Sequence, residues 1–390
     1  MMVRIGFSSG LFGLAITLAS LPVGARVPDT VPLPPFTQAY QPQGVDERGM
    51  WMEADEDERV LRDSRFVIPD TELNAYVRGV FCRTVGEERC RNVRVYVLRV
   101  PQFNATMYPN GMMTIWSGLL LRVRNEAELG AVLGHEFAHF ELRHSLKGFM
   151  ARRSASDIQM WANILVSNSS IPHAVAGAFY AFERDQEKEA DLRGAHYLGL
   201  SPYPATAAAD VWDRQIAEQD ATELGRKRKA THSYKAGYAA SHPTGLARAT
   251  YLRQEAARIG DGGDTAASAY RQGTAKWLPI FLDDQIKLND FGGTEFILQS
   301  LAGNEWTPEL LYARAELYRQ RGNPRDLVSA AQFYQEAVAG GCANPEVHRG
   351  LGLVLMRSQQ VEAGQAALRQ YLGLVPDAKD APMISALLAN

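Results

Sequence analysis

The stretch His135-Glu136-Phe137-Ala138-His139 decides how this sequence folds and what it can bind. On a helix, residues four apart lie on the same face, so His135 and His139 can both turn a ring nitrogen toward one metal ion. Glu136 lies one residue further round, within reach of a water molecule at that metal. This is the metal-binding and general-base pattern of zinc hydrolases.

The residues around the motif predict an amphipathic helix. Asn125 is a typical N-cap, and Glu128 stands at the capping-box position three residues later. Apolar residues then recur at close to the helical period, at Leu129, Val132, Leu133, Phe137 and Phe140. The alternative is two surface histidines, but a helix that enters a core suits a metal site because the ligands must be held rigidly.

Two histidines do not complete a catalytic zinc site, which takes three protein ligands. One class of zinc protease takes a third histidine six residues after the second, with a glycine midway between them. This chain has Leu142 and Ser145 at those positions, which excludes that class. His144 is one position off, and we expect it to be an ordinary histidine on the helix surface.

A later predicted helix, residues 182–198, carries the other candidate ligands. Glu187 is the candidate third ligand, and Asp191, one turn along, is placed to accept the far N–H of a zinc-bound histidine. Ala190, Gly194 and Ala195 are small, so another helix can approach this one closely.

Three segments together resemble a known family. They are the motif itself, the run Glu187-Lys188-Glu189-Ala190-Asp191, and Ser241-His242-Pro243 with Arg248 six residues after the histidine. In this combination the chain resembles the HtpX and BepA family of gluzincin peptidases, which is related to the CAAX prenyl proteases. The resemblance covers residues 51–252. Within this range it includes the segments Phe103-Asn104-Ala105 and Asn110-Gly111-Met112.

The resemblance implies a role for each matching residue. His135, His139 and Glu187 would bind one zinc ion per chain, and Glu136 would act as the general base. Asp191 would orient a ligand histidine. The chain lacks the spanning helices of the integral-membrane members.

Two further residues take roles from the same resemblance. His242 would either stabilise the oxyanion or cap the zinc in a resting state, and both roles are open. Arg248 matches a companion basic residue that would face the developing oxyanion. An extended peptide is expected to pair with the strand around residues 112–116 by β-augmentation.

The sequence divides into five predicted parts. Residues 1–25 are a signal peptide cleaved after Ala25, because Arg4 precedes an apolar stretch that ends in small residues. Residues 26–50 are rich in proline and are expected to be extended, and residues 51–258 form the metallopeptidase domain. Residues 259–306 are predicted to be a linker with bridging helices. Residues 307–390 are predicted to form tetratricopeptide-like repeats, with the best match at 345–378.

The predicted fold class is therefore α+β. A mainly helical gluzincin metallopeptidase domain with a small antiparallel sheet is followed by an all-α repeat domain. Residues 93–97 alternate with period two, Pro109-Asn110-Gly111 is a turn signal, and residues 112–117 are a returning strand.

Export implies an oxidising compartment, here the periplasm. Cys82 and Cys90 are predicted to form a short-loop disulfide, with two free thiols as the alternative. Cys342 is interpreted as a buried apolar filler. Polar residues interrupt the apolar segment 158–182, which favours buried helices over a membrane span and leaves at most peripheral membrane contact.

Composition limits the function classes. The net charge of −3 over 390 residues does not support nucleic-acid binding. The basic cluster at residues 226–229 is interpreted as a solvated loop, with acidic partners or lipid headgroups as the alternative.

These patterns predict an exported zinc-dependent endopeptidase that hydrolyses misfolded or unassembled cell-envelope proteins. Unfolded or misassembled polypeptides are its expected partners, and the repeats are expected to contact outer-membrane assembly machinery. The alternative is a periplasmic chaperone or outer-membrane assembly factor that acts through its helical repeats, with latent proteolysis. A structural zinc protein is disfavoured, because Glu136 would then have no task.

Overall fold

The computed structural model describes residues 41–165, 170–236, 242–260 and 262–389, with the side chains outside residues 155–182. These residues form seventeen helices and one three-stranded sheet. The strands are β1 (Arg94–Leu98), β2 (Ala105–Met107) and β3 (Met112–Trp116). The helices up to residue 259 are α1 (Gly44–Arg62), α2 (Thr71–Val85), α3 (Glu87–Cys90), α4 (Ser117–Arg122), α5 (Glu126–Glu141), α6 (His144–Leu165), α7 (Ser170–Gly199), α8 (Ala207–Gly225) and α9 (Gly245–Ile259). The later helices are α10 (Ala267–Thr274), α11 (Leu278–Ile286), α12 (Phe291–Ala302), α13 (Pro308–Arg321), α14 (Pro324–Ala339), α15 (Glu346–Arg357), α16 (Val361–Leu374) and α17 (Ala381–Ala389).

The sheet is small, as predicted, but it is mixed rather than antiparallel. Strand β3 lies in the centre, parallel to β1 and antiparallel to β2. Strand β2, which has only three residues, was not predicted. The chain reverses direction between β1 and β2 and again between β2 and β3. Strand β3 therefore runs in the same direction as β1.

The motif helix is built as the sequence predicts. The Asn125 side chain accepts a hydrogen bond from the Glu128 N–H at 2.8 Å and so caps α5. Leu129, Leu133 and Phe137 are fully buried on its inner face. Phe137 meets Phe81 of α2 edge-on, with ring centroids 5.6 Å apart, which fixes the rotation of α5 about its axis.

Helices α5 and α7 approach each other closely at Gly194, as the small residues there predict. A Cβ atom at Gly194 would lie only 3.0 Å from the His135 nitrogen and 3.2 Å from its Cα atom. The missing side chain therefore lets α7 bring its carboxylates up to the histidines of α5.

The predicted linker, residues 259–306, is part of the main core. Helices α10, α11 and α12 contribute buried side chains to the same apolar cluster as α2 and α5, namely Tyr270, Phe281, Leu282, Ile286, Ile297 and Leu298. The Gly- and Asp-rich composition that suggested a linker is confined to the loop before α10. The large apolar residues that follow this loop are the ones that fill the core.

The remaining helices pack in pairs. Helix α13 shares the main core through Leu310, Ala313 and Leu317, and it faces a second core with Leu311 and Ala315. The predicted repeat at 345–378 folds as the pair α15 and α16. Gly352 and Gly364 face each other where these helices cross, since a Cβ atom at Gly352 would lie 2.9 Å from the Gly364 carbonyl oxygen.

At the N-terminal side, α1 begins at Gly44, inside the segment expected to be extended. The prolines of that segment end at Pro42, which leaves residues 44–50 free to become helical. The predicted signal peptide (residues 1–25) and the following residues 26–40 lie outside the described residues. The side chains of the apolar segment at 158–182 lie outside them as well. No helix within the described ranges is long and apolar enough to cross a bilayer.

Cys82 and Cys90 are joined in a disulfide, as predicted, with their Cα atoms 5.2 Å apart. Both cysteines are buried. Cys342 is half-buried rather than buried, and it packs against the second core.

Candidate metal centre

Three side chains from two helices converge on one point. The Nε2 atoms of His135 and His139 lie 3.1 Å apart. Oxygens of Glu187 lie 3.7 Å from the Nε2 atom of His135 and 3.5 Å from that of His139. Among the described side chains, these three form a group whose ligand atoms all lie within 4.8 Å of one another.

The donor set fits a zinc ion. In a tetrahedral site with bonds of about 2.1 Å, ligand atoms are separated by roughly 3.4 Å, and the three separations bracket that value. Two imidazole nitrogens and one carboxylate oxygen leave a fourth position open, which is the composition of a catalytic rather than a structural zinc site.

A carboxylate and a guanidinium hold His135 in place. The Asp191 Oδ1 atom lies 2.9 Å from the His135 Nδ1 atom. When the Nε2 atom of His135 binds the metal, the ring proton is on Nδ1, and this Nδ1–H group donates to the Asp191 carboxylate. Arg248 donates to both Asp191 oxygens, at 2.8 and 2.5 Å, and the Tyr251 hydroxyl also donates to this carboxylate. The Arg248 guanidinium lies over the Trp212 ring, 3.7 Å from its centroid. Asp191 is 4% exposed, and these donors keep its buried charge paired.

The two ligand histidines have different electrostatic surroundings. Burial opposes the charged form of His135, but the adjacent Asp191 carboxylate prevails and raises the pKa of His135. Burial and the neighbouring His135 lower the pKa of His139 well below its ordinary value, so His139 is neutral near pH 7. For Glu187, burial is outweighed by the hydrogen bond from His242 and by nearby positive charge, and its pKa falls to about 2. Glu187 is therefore ionised and ready to bind a cation.

Glu136 has the environment of a general base. Burial, opposed by His135 and supported by Glu187, raises the pKa of Glu136 to about 7. A base whose pKa lies near the working pH accepts a proton readily and also releases it. Its carboxylate lines the same cavity as the three candidate ligands.

His242 and Arg248 both line the cavity, and each contacts a carboxylate of the site. The His242 Nδ1 atom lies 3.1 Å from a Glu187 oxygen, and the His242 side chain is 63% exposed. It is thus a hydrogen-bond partner of a ligand and stands outside the group of converging atoms. Arg248 is 5% exposed, and its guanidinium is occupied by Asp191, so its geometry favours positioning over contact with substrate.

The site opens into a cavity of about 560 Å³ whose wall includes the edge of the sheet. The strand expected to pair with a peptide was β3, but β3 already has a neighbour on each side. Strand β2 is the outer strand of the described sheet on the cavity side, and Ala105, Thr106 and Met107 line the cavity.

The hydrogen bonds between β2 and β3 show which backbone groups of β2 are available. Trp116 N–H donates to the Asn104 carbonyl at 3.0 Å, and Tyr108 N–H donates to the Met112 carbonyl at 2.8 Å. Alternate residues of an antiparallel pair point toward the partner strand, so the backbone groups of Ala105 and Met107 point away from β3. The Met107 N–H is hydrogen bonded to the Glu136 carboxylate, which leaves the Ala105 groups and the Met107 carbonyl.

The surface position expected for His144 is wrong, and two further residues were not predicted: Glu189, which contacts His144, and Tyr251, which contacts Asp191. His144 is 3% exposed, not on the surface, and its ring contacts His139. Counting along a continuous helix failed because α5 ends at Glu141 and a new helix begins at His144. Tyr251 was detectable as a residue one turn after Arg248, whereas Glu189 stands in the acidic run already quoted.

Comparison with known proteins agrees with this geometry. Residues 67–256 match the profile of Peptidase family M48. The matched range contains His135, Glu136, His139, Glu187 and Asp191, so this part of the chain is similar to that family of metallopeptidases.

Relatives with curated names are metalloproteases. The chain is 30% identical over 178 residues to the mitochondrial metalloendopeptidase OMA1 of Schizosaccharomyces pombe. This alignment covers 44% of this chain and 50% of the relative. It is 26% identical over 162 residues to the Arabidopsis thaliana protein of the same name, covering 41% of this chain and 31% of the relative. It is 34% identical over 107 residues to the metalloprotease YcaL of Escherichia coli K12, covering 26% of this chain and 41% of the relative. The chain thus spans half or less of the length of these relatives.

Proposed function

We propose that this protein is a zinc metalloendopeptidase that cleaves extended segments of unfolded or misassembled polypeptides. The observation that carries the proposal is the convergence of His135, His139 and Glu187 beside Glu136, in one cavity with a free strand edge. The metalloprotease names of the relatives support it.

The roles of the side chains follow from their positions. A zinc ion held by the three ligands supplies the Lewis acidity that peptide hydrolysis needs. Glu136 takes a proton from the attacking water and passes it to the leaving amine. Asp191 and Arg248 keep His135 in the orientation and tautomer that leave its Nε2 atom free for the metal.

Substrate binding is assigned to strand β2. A polypeptide in extended conformation pairs with the outward backbone groups of Ala105 and with the Met107 carbonyl and is thereby laid across the cavity. Pairing through the main chain depends little on side-chain identity. Such a site suits an enzyme that meets many different unfolded chains.

The cellular role is proposed from the sequence. The signal-like N-terminus and the paired Cys82 and Cys90 favour the periplasm, where disulfides persist. Quality control of cell-envelope proteins is the process that combines export with low sequence preference.

A second function is favoured by the C-terminal helices. The pairs α13–α14 and α15–α16 form a core separate from that of the metallopeptidase domain. We propose that they are tetratricopeptide-like and bind a partner, such as outer-membrane assembly machinery. In this alternative the protein acts as a chaperone or assembly factor, with proteolysis in reserve.

One variant tests the catalytic proposal. Glu136→Gln preserves the shape of the side chain but removes the base, so we expect one zinc per chain and a loss of cleavage by roughly 10²- to 10⁴-fold. Metal analysis and cleavage of casein or a quenched peptide give the two readings. Glu255→Gln, an acid on the outer part of α9 paired with Arg258, is the control and should cleave normally. A Glu136→Gln protein that cleaves like the wild type would refute the assignment.

A further inference from the structure

The corner between α5 and α6 has an unusual backbone. Leu142 ends α5 as its C-cap, and Arg143 has φ 58°, in the left-handed region that non-glycine residues rarely adopt. Arg143 is buried and forms an ion pair with Glu47 of α1, which is also buried. This contact holds the corner in a conformation that turns the next residue, His144, back toward α5.

The His144 ring lies between a ligand and a carboxylate. Its Nδ1 atom is 2.9 Å from the Nδ1 atom of His139, and its Nε2 atom is 3.2 Å from an oxygen of Glu189. The rings of His139 and His144 meet edge-on, with centroids 4.9 Å apart. Both nitrogens of His144 are therefore used, although the residue is 3% exposed.

Only one arrangement of protons satisfies this chain of contacts when His139 binds a metal. Its Nε2 atom faces His135 and Glu187, so the metal takes that nitrogen and the proton of His139 must be on Nδ1. The Nδ1–H group then donates to the bare Nδ1 atom of His144. The Nε2–H group of His144 donates in turn to Glu189.

We propose that His144, backed by Glu189, is the positioning residue of the metal ligand His139. It is the counterpart of Asp191 and Arg248 at His135. His144 is not itself a ligand of this ion, because both of its nitrogens face away from the Nε2 atom of His139. The inference rests on the proposed zinc site but not on peptidase activity, since its tests read metal binding and proton position.

A pair of nearly isosteric variants separates positioning from packing. His144→Leu fills the space but offers no acceptor, whereas the Asn side chain of His144→Asn places an oxygen near the position of the Nδ1 atom. Removal of a group that orients a metal-bound histidine typically costs 10- to 100-fold in metal affinity. We expect His144→Leu to bind zinc more weakly by roughly that factor, and His144→Asn to remain within about fivefold of the wild type.

The measurement is the zinc Kd of metal-free protein, from competition with a chromophoric chelator, with circular dichroism as the check that each variant is folded. His232→Leu is the control and should leave the Kd unchanged. It removes an exposed histidine that pairs with Asp220 of α8. Equal Kd values for His144→Leu and the wild type would overturn the proposal. Equal weakening by Leu and Asn would also overturn it, because packing alone would then explain the loss.

A second measurement needs no variant and so does not depend on folding of the Leu protein. In zinc-bound protein with ¹⁵N-labelled histidine, we expect a ¹⁵N–¹⁵N coupling across the hydrogen bond between His139 and His144. We also expect a proton on the Nε2 atom of His144. A His144 ring protonated on Nδ1, with no such coupling, would show that His139 is oriented by something else.

Discussion

At the scale of single residues, Arg248 connects most of the site. It forms two hydrogen bonds to Asp191, lies over Trp212, and has one nitrogen 3.5 Å from Glu187. Burial acts against the charge of Asp191, but Arg248 and His135 prevail and keep the pKa of Asp191 well below its ordinary value. The carboxylate that orients His135 is therefore ionised at neutral pH.

His242 is the residue whose role a single substitution decides. Its ring is exposed and hydrogen bonded to Glu187, which is where a movable cap on the metal would stand at rest. We expect His242→Ala to keep its zinc and to cleave unfolded substrates faster, because the cap is gone. His232→Ala serves as the control. A zinc-replete His242→Ala protein that is slower on every substrate, by roughly ten- to a thousand-fold, would instead make His242 an oxyanion donor.

The candidate ligands His135, His139 and Glu187 could be predicted from sequence because helical spacing places them, and the neighbouring Asp191, on defined faces. His144 could not be predicted in the same way. Its position depends on the left-handed backbone of Arg143 and on a contact with Glu47, almost a hundred residues earlier in the chain. Spacing rules apply within one helix, and the break after α5 makes them invalid.

At the scale of helices and strands, the contact between α5 and α7 can be tested at Gly194. A methyl group there meets backbone atoms of His135, which cannot move aside as a flexible side chain could. We expect Gly194→Ala to lower the free energy of unfolding by about 1–3 kcal/mol and to weaken zinc binding, because α7 carries Glu187 away from the histidines.

Denaturant unfolding and a zinc competition assay measure the two effects of Gly194→Ala. Gly49→Ala is the matched control, because Gly49 also lies inside a helix but its added methyl would have no neighbour within 4 Å. That variant should be neutral or slightly more stable. Unchanged zinc affinity in Gly194→Ala would mean that α7 tolerates the methyl without moving its carboxylate.

Strand β2 gives a prediction about substrates rather than variants. The Met107 N–H is hydrogen bonded to Glu136, but the backbone groups of Ala105 and the Met107 carbonyl point away from β3, so a bound peptide needs its own backbone N–H groups for pairing. We consider a series of peptide substrates that each carry one N-methyl group, at successive positions. Methylation at every second position should lower kcat/KM by roughly 5- to 15-fold, the effect of about one hydrogen bond, and methylation at the positions between should not. Losses that do not alternate, or none at all, would argue against pairing with a strand.

The element that the sequence predicted best is the capped helix α5, whereas α7 begins at Ser170, twelve residues before its predicted start. The three-residue strand β2 was missed because so short a segment carries no periodic signal, and with it the direction of β3 was wrong. The prediction of a linker at 259–306 failed for a different reason. Local composition shows where a loop is, but it does not show whether the helices after the loop return to the core.

At the scale of the whole molecule, that return makes the metallopeptidase domain longer than its sequence motifs. Six large side chains of α10–α12 are buried in the main core, and each contributes about 2 kcal/mol. Arg122 and Arg124, just before the motif helix, donate to Gln285 and Ser300. We therefore expect a chain that ends at residue 258 to lose cooperative unfolding and zinc binding, since the lost burial rivals the total stability of a domain, about 5–15 kcal/mol.

The matched truncation ends at residue 340. It removes α15–α17, which contribute nothing to the main core among the described residues. Zinc content and cleavage of a short peptide should stay within about twofold of the full chain, and calorimetry should still show one sharp transition for the metallopeptidase domain. If the chain ending at 258 bound zinc equally well, the helices α10–α12 would be dispensable after all.

The buried charges around the cavity do not cancel among themselves. Above pH 7, Glu136, Glu187 and Asp191 carry three negative charges, and Arg248 supplies one positive charge, which is hydrogen bonded to Asp191 and 3.5 Å from Glu187. A divalent cation is what restores electroneutrality in this low-dielectric region, where unbalanced charge is costly. Any divalent ion with a preference for nitrogen and oxygen satisfies that balance, so the identity of the metal in the cell depends on supply as much as on the three ligands.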